Sequence, residues 1–255
     1  MLKISIITVT FNSASTLRNT LESVLVQTYP ELEYIVVDGN SKDSTIEIIK
    51  EYELKFEGRM HWLSEPDKGL YDAMNKGIRM ATGEIVGIIN SDDFYHRNDI
   101  ISEIAKAFEE YNAQAIFADV RFVNPSNLNK TVRYYRSKNF SPKRFRFGFM
   151  PPHPTFFTYR KNFELYGYYK TDYKIAADYE LLIRFLYKNR LSYKYLPLDV
   201  MKMRTGGAST ASIKSNVILN KEIVRACREN GIYTNMAILM LKYIVKIWEL
   251  IITKE

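Results

Sequence analysis

The first 120 residues alternate runs of continuous apolar character with segments of helical spacing, and this alternation limits the fold most. Strands are predicted at Lys3–Val9, Glu33–Asp38, His61–Ser64, Glu84–Asn90 and Ala115–Val120. Helices are predicted at Ser15–Gln27, Asp43–Phe56 (Asp43 as N-cap), Gly69–Ala81 and Asp99–Tyr111. A strand apolar at nearly every position is buried on both faces, which calls for a parallel sheet covered by helices on each side. Right-handed crossovers then make an α/β, doubly wound, mostly parallel sheet flanked by helices. The second half is less regular, with strands expected at Thr131–Arg136 and Thr155–Tyr159 and helices at Ala176–Tyr187 and Asn216–Asn230. A chain of 255 residues suits one large domain or one domain with an appendage. The expected organisation is an α/β half over 1–120, a second half of the same domain over 121–215, and a C-terminal helical extension over 216–255.

At 46% hydrophobic and 25% charged residues, disorder and linker-dominated architectures are excluded. Cys227 is the single cysteine, so neither an intramolecular disulfide nor a cysteine zinc site can form. Met1–Ile7 lacks a charged segment ahead of a long apolar stretch and reads as a first strand, which points to a cytoplasmic protein. The net charge of +7 is uneven: Val120–Phe163 holds ten basic residues, eleven aromatics and no acid. Such interleaving suits nucleic acid, anionic lipid or a phosphate-bearing substrate, or else a solvated surface segment.

In an open parallel sheet, ligands bind at the carboxyl ends of the strands. Those ends read Thr8-Val9-Thr10-Phe11-Asn12, Asp38-Gly39-Asn40-Ser41, Glu65-Pro66-Asp67-Lys68-Gly69 and Asn90-Ser91-Asp92-Asp93. No glycine-rich dinucleotide fingerprint and no P-loop is present. Carboxylates repel a pyrophosphate but can hold it through a divalent cation, and Asp92 and Asp93 are hard donors suited to Mg²⁺ or Mn²⁺. An Asp-Asp at a strand end is also a common turn or helix cap.

The ordered set Val37-Asp38-Gly39-Asn40-Ser41, Ser64–Gly77 (Ser-Glu-Pro-Asp-Lys-Gly-Leu-Tyr-Asp-Ala-Met-Asn-Lys-Gly), Asn90–Asp93, Pro152-His153-Pro154-Thr155 and Ala177-Asp178-Tyr179-Glu180-Leu181 resembles the family 2 inverting glycosyltransferases of the GT-A fold. It looks most like bacterial enzymes that build O-antigen or capsule repeat units on a polyprenyl carrier, and it covers about residues 1–210. The resemblance implies that 1–120 binds a nucleotide-sugar, expected to be a UDP-sugar, and that 121–215 binds the acceptor and supplies the base. Thr8, Phe11 and Asn12 would line the base and ribose pocket, and Asp38 would accept a hydrogen bond from uracil. Asp67, with Asn75 on the helix from Gly69 to Gly77, would sit beside the nucleotide. Asp92 would contact the ribose or the metal shell, and Asp93 would hold the metal. Ser91 stands where many relatives carry a further acid.

Sugar transfer needs the leaving pyrophosphate neutralised and the acceptor hydroxyl deprotonated, and one direct displacement inverts the anomeric configuration with a single base. Asp178 shares a helix face with Leu182 and Phe185, and this facing agrees with the resemblance, so Asp178 is the expected base. The alternative is a first-turn helix acid. Glu180 points to the opposite side; with His153 it is a further candidate for contact with acceptor or phosphate. Arg204–Ser209 reads as a Gly-rich loop that could close over the donor with Arg204 supplying charge, or as an ordinary connector.

Met236–Ile252 is strongly apolar with one polar stripe of Lys242, Lys246 and Glu249. This suits a helix lying in a membrane interface, or one that docks on the catalytic domain or on a second subunit in a homodimer. The combined expectation is a peripheral enzyme on the inner face of the plasma membrane. It would use a UDP-sugar, Mn²⁺ or Mg²⁺ and a polyprenyl-diphosphate-linked saccharide acceptor, with no nucleic-acid partner. The rivals are a nucleotidyltransferase, which would want a Gly-rich loop after the first strand, and a basic membrane- or nucleic-acid-binding protein, which would need no acids at strand ends.

Overall fold

The structure, a computed structural model, describes residues 1–206 and 213–241. Its first half runs β1 (Ile4–Thr10), α1 (Leu17–Leu25), β2 (Leu32–Asp38), α2 (Thr45–Lys55), β3 (Met60–Ser64), α3 (Leu70–Met80) and β4 (Ile85–Asn90). It continues with β5 (Phe94–Tyr95), α4 (Ile100–Tyr111), β6 (Ala115–Asn124), β7 (Asn127–Tyr135), β8 (Phe157–Tyr159), α5 (Arg160–Tyr166), α6 (Ala177–Leu182), β9 (Tyr193–Arg204) and α7 (Ile213–Glu229). Each strand and helix predicted up to residue 120 is present within a few residues of its expected ends.

The strand order is β3-β2-β1-β4-β8-β6-β9-β5, with β7 beside β6. β3, β2, β1 and β4 are mutually parallel, as continuous apolar strands require. Beyond β4 the sheet is mixed: β8 runs antiparallel to β4 and β6, β7 antiparallel to β6, and β9 parallel to β6. β7 follows β6 through a tight turn, and a hairpin can only be antiparallel. The fold is therefore α/β of the GT-A type, with a doubly wound parallel half and a mixed second half.

β9 carries no sequence signal because Pro197 interrupts it, and proline demotes a strand. The register passes from Phe117 opposite Tyr195 to Asp119 opposite Asp199, so β9 bulges around that proline. The strand expected from Thr155 begins at Phe157, after a 3₁₀ turn over His153–Thr155. The helix expected over Ala176–Tyr187 forms as α6 followed by a π-helical turn, Ile183–Lys188.

Alternation along β1 divides two cores. Ile4 and Ile6 pack with α1, α2 and α4, while Ile7 and Val9 pack with α3, α5, α6 and α7. Gly77 brings α3 close to β1, since a Cβ there would lie 2.5 Å from Ile7 Cγ2. In α7, Ile223, Ala226 and Cys227 are buried in the second of these cores, so this helix is part of the domain.

Residues 236–241 are helical, and Leu239 is buried in the same core while Met240 and Leu241 are exposed. The start of the tail helix therefore docks on the α/β domain. Residues 242–252 of the expected interface helix lie outside the described residues, as do residues 207–209 of the Gly-rich loop. Among the described residues no helix is long and apolar enough to cross a membrane.

Candidate active site

A cavity of about 600 Å³ opens at the carboxyl ends of β1 and β4. Asn90, Ser91, Asp92 and Asp93 line one end, and Tyr71, Lys174 and Asp178 line another. Residues 148–154, including His153, and Met203 and Arg204 of β9 complete the walls with Phe122, Arg133 and Tyr135 of the β6–β7 hairpin. The topology thus brings the acids after β4 and the acid of α6 to one space, although 85 residues of chain separate Asp93 from Asp178.

The acidic end is firmly built. Ser13 and Ser91 hydroxyls meet at 3.0 Å, joining the loops after β1 and β4. The Thr20 hydroxyl of α1 donates to the Asp93 carbonyl at 2.7 Å. The Asp93 side chain is 1% exposed and accepts from Asn90 Nδ2 at 3.0 Å. Burial first, and then the charge of Asp92, raises its pKa well above the usual carboxylate range. Arg204 closes this end: one guanidinium nitrogen donates to the Asp92 carbonyl, another to Asn19 Oδ1 at 2.9 Å, and the group lies 5.2 Å over the Phe94 ring.

Among the described residues no group of three or more His, Cys, Asp or Glu side chains could hold a metal alone. The Asp92–Asp93 pair still fits a hard cation brought by a phosphate-bearing ligand. Mg²⁺-type ions are commonly held by one or two carboxylates, with phosphates and water completing the shell.

Asp178 is in the first turn of α6, half-buried, and accepts from its neighbour's amide, Tyr179 N–H, at 2.7 Å. Burial raises its pKa to about 6, against the lowering effect of backbone hydrogen bonds. Tyr71 of α3 donates to the Ile175 carbonyl at 2.5 Å and ties this turn to the sheet. His153 Nε2 meets the Tyr169 hydroxyl at 2.6 Å. Burial lowers the His153 pKa to about 4, so at neutral pH the ring is uncharged. It can take or give a hydrogen bond at the cavity wall but brings no positive charge to a phosphate.

Residues 5–165 match the sequence profile of Glycosyl transferase family 2. The chain belongs to this family. Over 251 residues it is 26% identical to a PGL/p-HBAD biosynthesis glycosyltransferase of Mycobacterium tuberculosis, covering 98% of this chain and 92% of the relative. Over 183 residues it is 32% identical to an uncharacterised glycosyltransferase of the same species, covering 71% and 68%. Among solved structures, S. aureus TarS 1–349 with UDP-GlcNAc superposes with a TM-score of 0.68 at 18% identity, covering 91% of this chain and 68% of TarS. The mannosyltransferase PcManGT of Pyrobaculum calidifontis, solved with GDP-Man and Mn²⁺, gives 0.62 at 21% identity, covering 79% and 56%.

Several other predicted residues of this family 2 glycosyltransferase gather at the ends of β1, β2 and β3. Phe11 is 60% exposed beside Gly39 and Asp67. A Cβ on Gly39 would come within 2.5 Å of Asp67 Oδ2, so a larger residue there would displace the Asp67 carboxylate. Asn12 accepts from Lys42 N–H at 2.8 Å and its own N–H donates to Ser41, joining the first two loops. Asp38 is fully buried and accepts from the Ser41 amide and hydroxyl and from the Ser64 hydroxyl. In this conformation it shapes the loop and presents no oxygen to solvent.

Three expected site residues lie elsewhere. Thr8 faces the core shared with Ile4 and Ile6, where its hydroxyl accepts from Tyr34 at 2.8 Å, because alternation places it opposite the cavity. Both amide atoms of Asn75 are used by the backbone of Tyr169, at 2.8 and 2.9 Å. Glu180 is 0% exposed and binds Arg184, Lys170 and Asn230 at 2.9, 3.1 and 3.2 Å. The last two groups are structural ties and do not line the cavity.

Sequence reasoning missed Tyr71, Lys174 and the wall of Phe122, Arg133 and Tyr135. Tyr71 lay inside a quoted motif without a role. Arg133 and Tyr135 are two apart on β7 and so share a face; Arg133 lies 5.1 Å from the rings of both Phe122 and Tyr135. In this part of the basic, aromatic segment the cations pack on the aromatics.

Proposed function

We propose that this glycosyltransferase moves a sugar, with inversion, from a nucleoside diphosphate donor, UDP first, to a hydroxyl of a lipid-linked saccharide in surface polysaccharide synthesis. The observation that carries this reading is the single cavity shared by Asp92, Asp93 and Asp178. The exposed Phe11 ring offers a stacking surface for the base, beside Asp67. The neighbours solved with UDP, UDP-GlcNAc and GDP-Man support a nucleotide-sugar at this sheet edge. Asp93 and Asp92 would hold Mn²⁺ or Mg²⁺, which when bound neutralises charge on the leaving pyrophosphate. Arg204 adds a fixed positive charge beside them.

Asp178 takes the proton of the acceptor hydroxyl. The acceptor oxygen attacks the anomeric carbon while the bond from that carbon to the phosphate oxygen breaks and its electron pair leaves with the diphosphate. A carboxylate with a pKa near 6 is ionised at neutral pH yet a stronger base than an ordinary one. The apolar wall of Phe122, Phe149, Met150 and Leu219 suits an acceptor with an apolar carrier, and the basic excess of Val120–Phe163 suits the anionic membrane surface.

Calorimetric titration with UDP tests the reading. Wild-type protein should bind UDP in the presence of Mn²⁺ and bind it at least about tenfold more weakly in excess EDTA, the scale of one lost charge-assisted contact of about 1.4 kcal/mol. Asp93→Ala should abolish the Mn²⁺ dependence with the fold intact by circular dichroism. Equal UDP affinity with and without EDTA would remove the metal from the reading, and no UDP binding in either condition would overturn the donor.

A further inference from the structure

α7 presents Glu222, Arg225 and Glu229 along one face, three to four residues apart, toward the segment that leads into α6. Glu229 accepts from Lys170 at 2.7 Å and from the Tyr173 hydroxyl at 3.0 Å, and Arg225 pairs with Asp172. Glu222 makes a contact of a different kind. Its carboxylate accepts three consecutive backbone N–H groups, of Lys174 at 2.7 Å and of Ile175 and Ala176 at 2.9 Å each. These amides immediately precede α6, and Asp178 stands two residues beyond the last of them. From the other side, the Tyr71 hydroxyl fixes the carbonyl of Ile175. The turn that aims Asp178 into the cavity is thus held at its amides by one acid and at its carbonyl by one tyrosine.

We propose that Glu222 is the positioning residue for the base: its carboxylate, by holding three consecutive amides, fixes the Lys174–Ala176 turn so that Asp178 projects into the cavity. A carboxylate in that position also places a negative charge on the Asp178 side of α7. The proposal rests on the reading of Asp178 as base. The groups that act on Asp178 are the Tyr71 and Tyr169 hydroxyls and, from α7, the Glu222 carboxylate; His153, Lys174, Arg133, Arg204, Asp92 and Asp93 line the same cavity. Burial is the main cause that raises Asp178, and Glu222 is the acid that adds to it. A like charge disfavours ionisation of its neighbour, so removing it makes the neighbour easier to ionise and weaker as a base.

The test reads Asp178 directly and needs no acceptor. Protein labelled with ¹³C at the aspartate carboxyl is titrated by NMR, and the Asp178 resonance is assigned by its loss in Asp178→Asn. In Glu222→Gln, which keeps an acceptor oxygen but no charge, the Asp178 midpoint should fall by at least about half a pH unit, the scale of one screened charge. In Glu222→Asp, which keeps the charge and shortens the reach, the midpoint should stay nearer wild type while amide exchange at Lys174–Ala176 quickens. An unchanged midpoint in folded Glu222→Gln overturns the proposal. Unfolding of both variants also overturns it, because Glu222 would then be a fold determinant alone. Normal turnover of Asp178→Asn would remove the base reading while leaving the titration shift standing, so the two failures are distinguishable.

Discussion

Asp178→Asn should lower turnover by about 10²–10⁴, the worth of a positioned general base, while leaving UDP affinity within a factor of about two, too little to register a lost contact. Asparagine keeps the oxygen that accepts Tyr179 N–H at 2.7 Å, so α6 retains its start, and only the proton acceptor is lost. The same substitution should stabilise the fold at neutral pH. The folded-state pKa of Asp178 is raised to about 6 by burial. Its contribution to stability is therefore fully present below the unfolded value and is lost as pH rises from about 4 through about 6. Asparagine does not titrate, so the variant should match wild type near pH 4 and exceed it above about pH 6, by about 1–2 kcal/mol after allowance for partial solvent screening. Thermal melts at the two pH values check this, and wild-type turnover should itself decline below pH 6. A variant that is inactive and less stable at neutral pH would mean that the substitution damaged the fold rather than the chemistry.

What could be read in advance follows from what sets each position. The acids Asp92 and Asp93 were legible because an uninterrupted apolar run fixes where β4 ends, and a strand end in a parallel sheet faces the ligand edge. Helical spacing separated Asp178 from Glu180, but it assigned the apolar face to Asp178, whereas Glu180 is the fully buried acid and Asp178 is half-buried at the cavity, because α6 is packed on both sides. Thr8 was not legible, since every position of β1 is buried and a strand without polar alternation hides which face each residue takes. Asn75 was not, because its partner Tyr169 is 94 residues away in sequence. Glu222 escaped for the same reason: it meets backbone amides 46 to 48 residues earlier, and no local pattern marks such a contact. The cavity wall of Phe122, Arg133 and Tyr135 depends on the register of the β6–β7 hairpin, which shifts twice near its turn.

Glu180 left one readable trace, a cation four residues on, and that pair carries the largest stability effect expected here. Arg184 is nearly buried, binds Glu180 at 2.9 Å, and donates to the carbonyls of Tyr166, Gly167 and Tyr168 at 2.5 to 2.8 Å. Burial pushes the pKa of Glu180 up, but hydrogen bonding and charge from Arg184, then Asn230 and Lys170, outweigh it and hold the group below the usual carboxylate range. Arg184→Met would leave a charged carboxylate with only Lys170 and Asn230, and three carbonyls without their donor. Removing one partner of a buried pair costs about 3–5 kcal/mol, a large part of the roughly 5–15 kcal/mol that keeps a domain folded. Urea unfolding at neutral pH should therefore show a strongly lowered midpoint. The double variant Glu180→Leu/Arg184→Met removes both charges together and should lose less than the sum of the single changes, by about 1–3 kcal/mol. A depressed carboxylate contributes stability that is present above its unfolded pKa and lost as pH falls through the folded one. The gap between wild type and Arg184→Met should accordingly narrow in acid, below the usual carboxylate range. Strictly additive single and double variants would show that Glu180 and Arg184 act independently, and a gap constant from neutral to acid pH would show that the carbonyl bonds of Arg184, not its charge on Glu180, hold α6 in place.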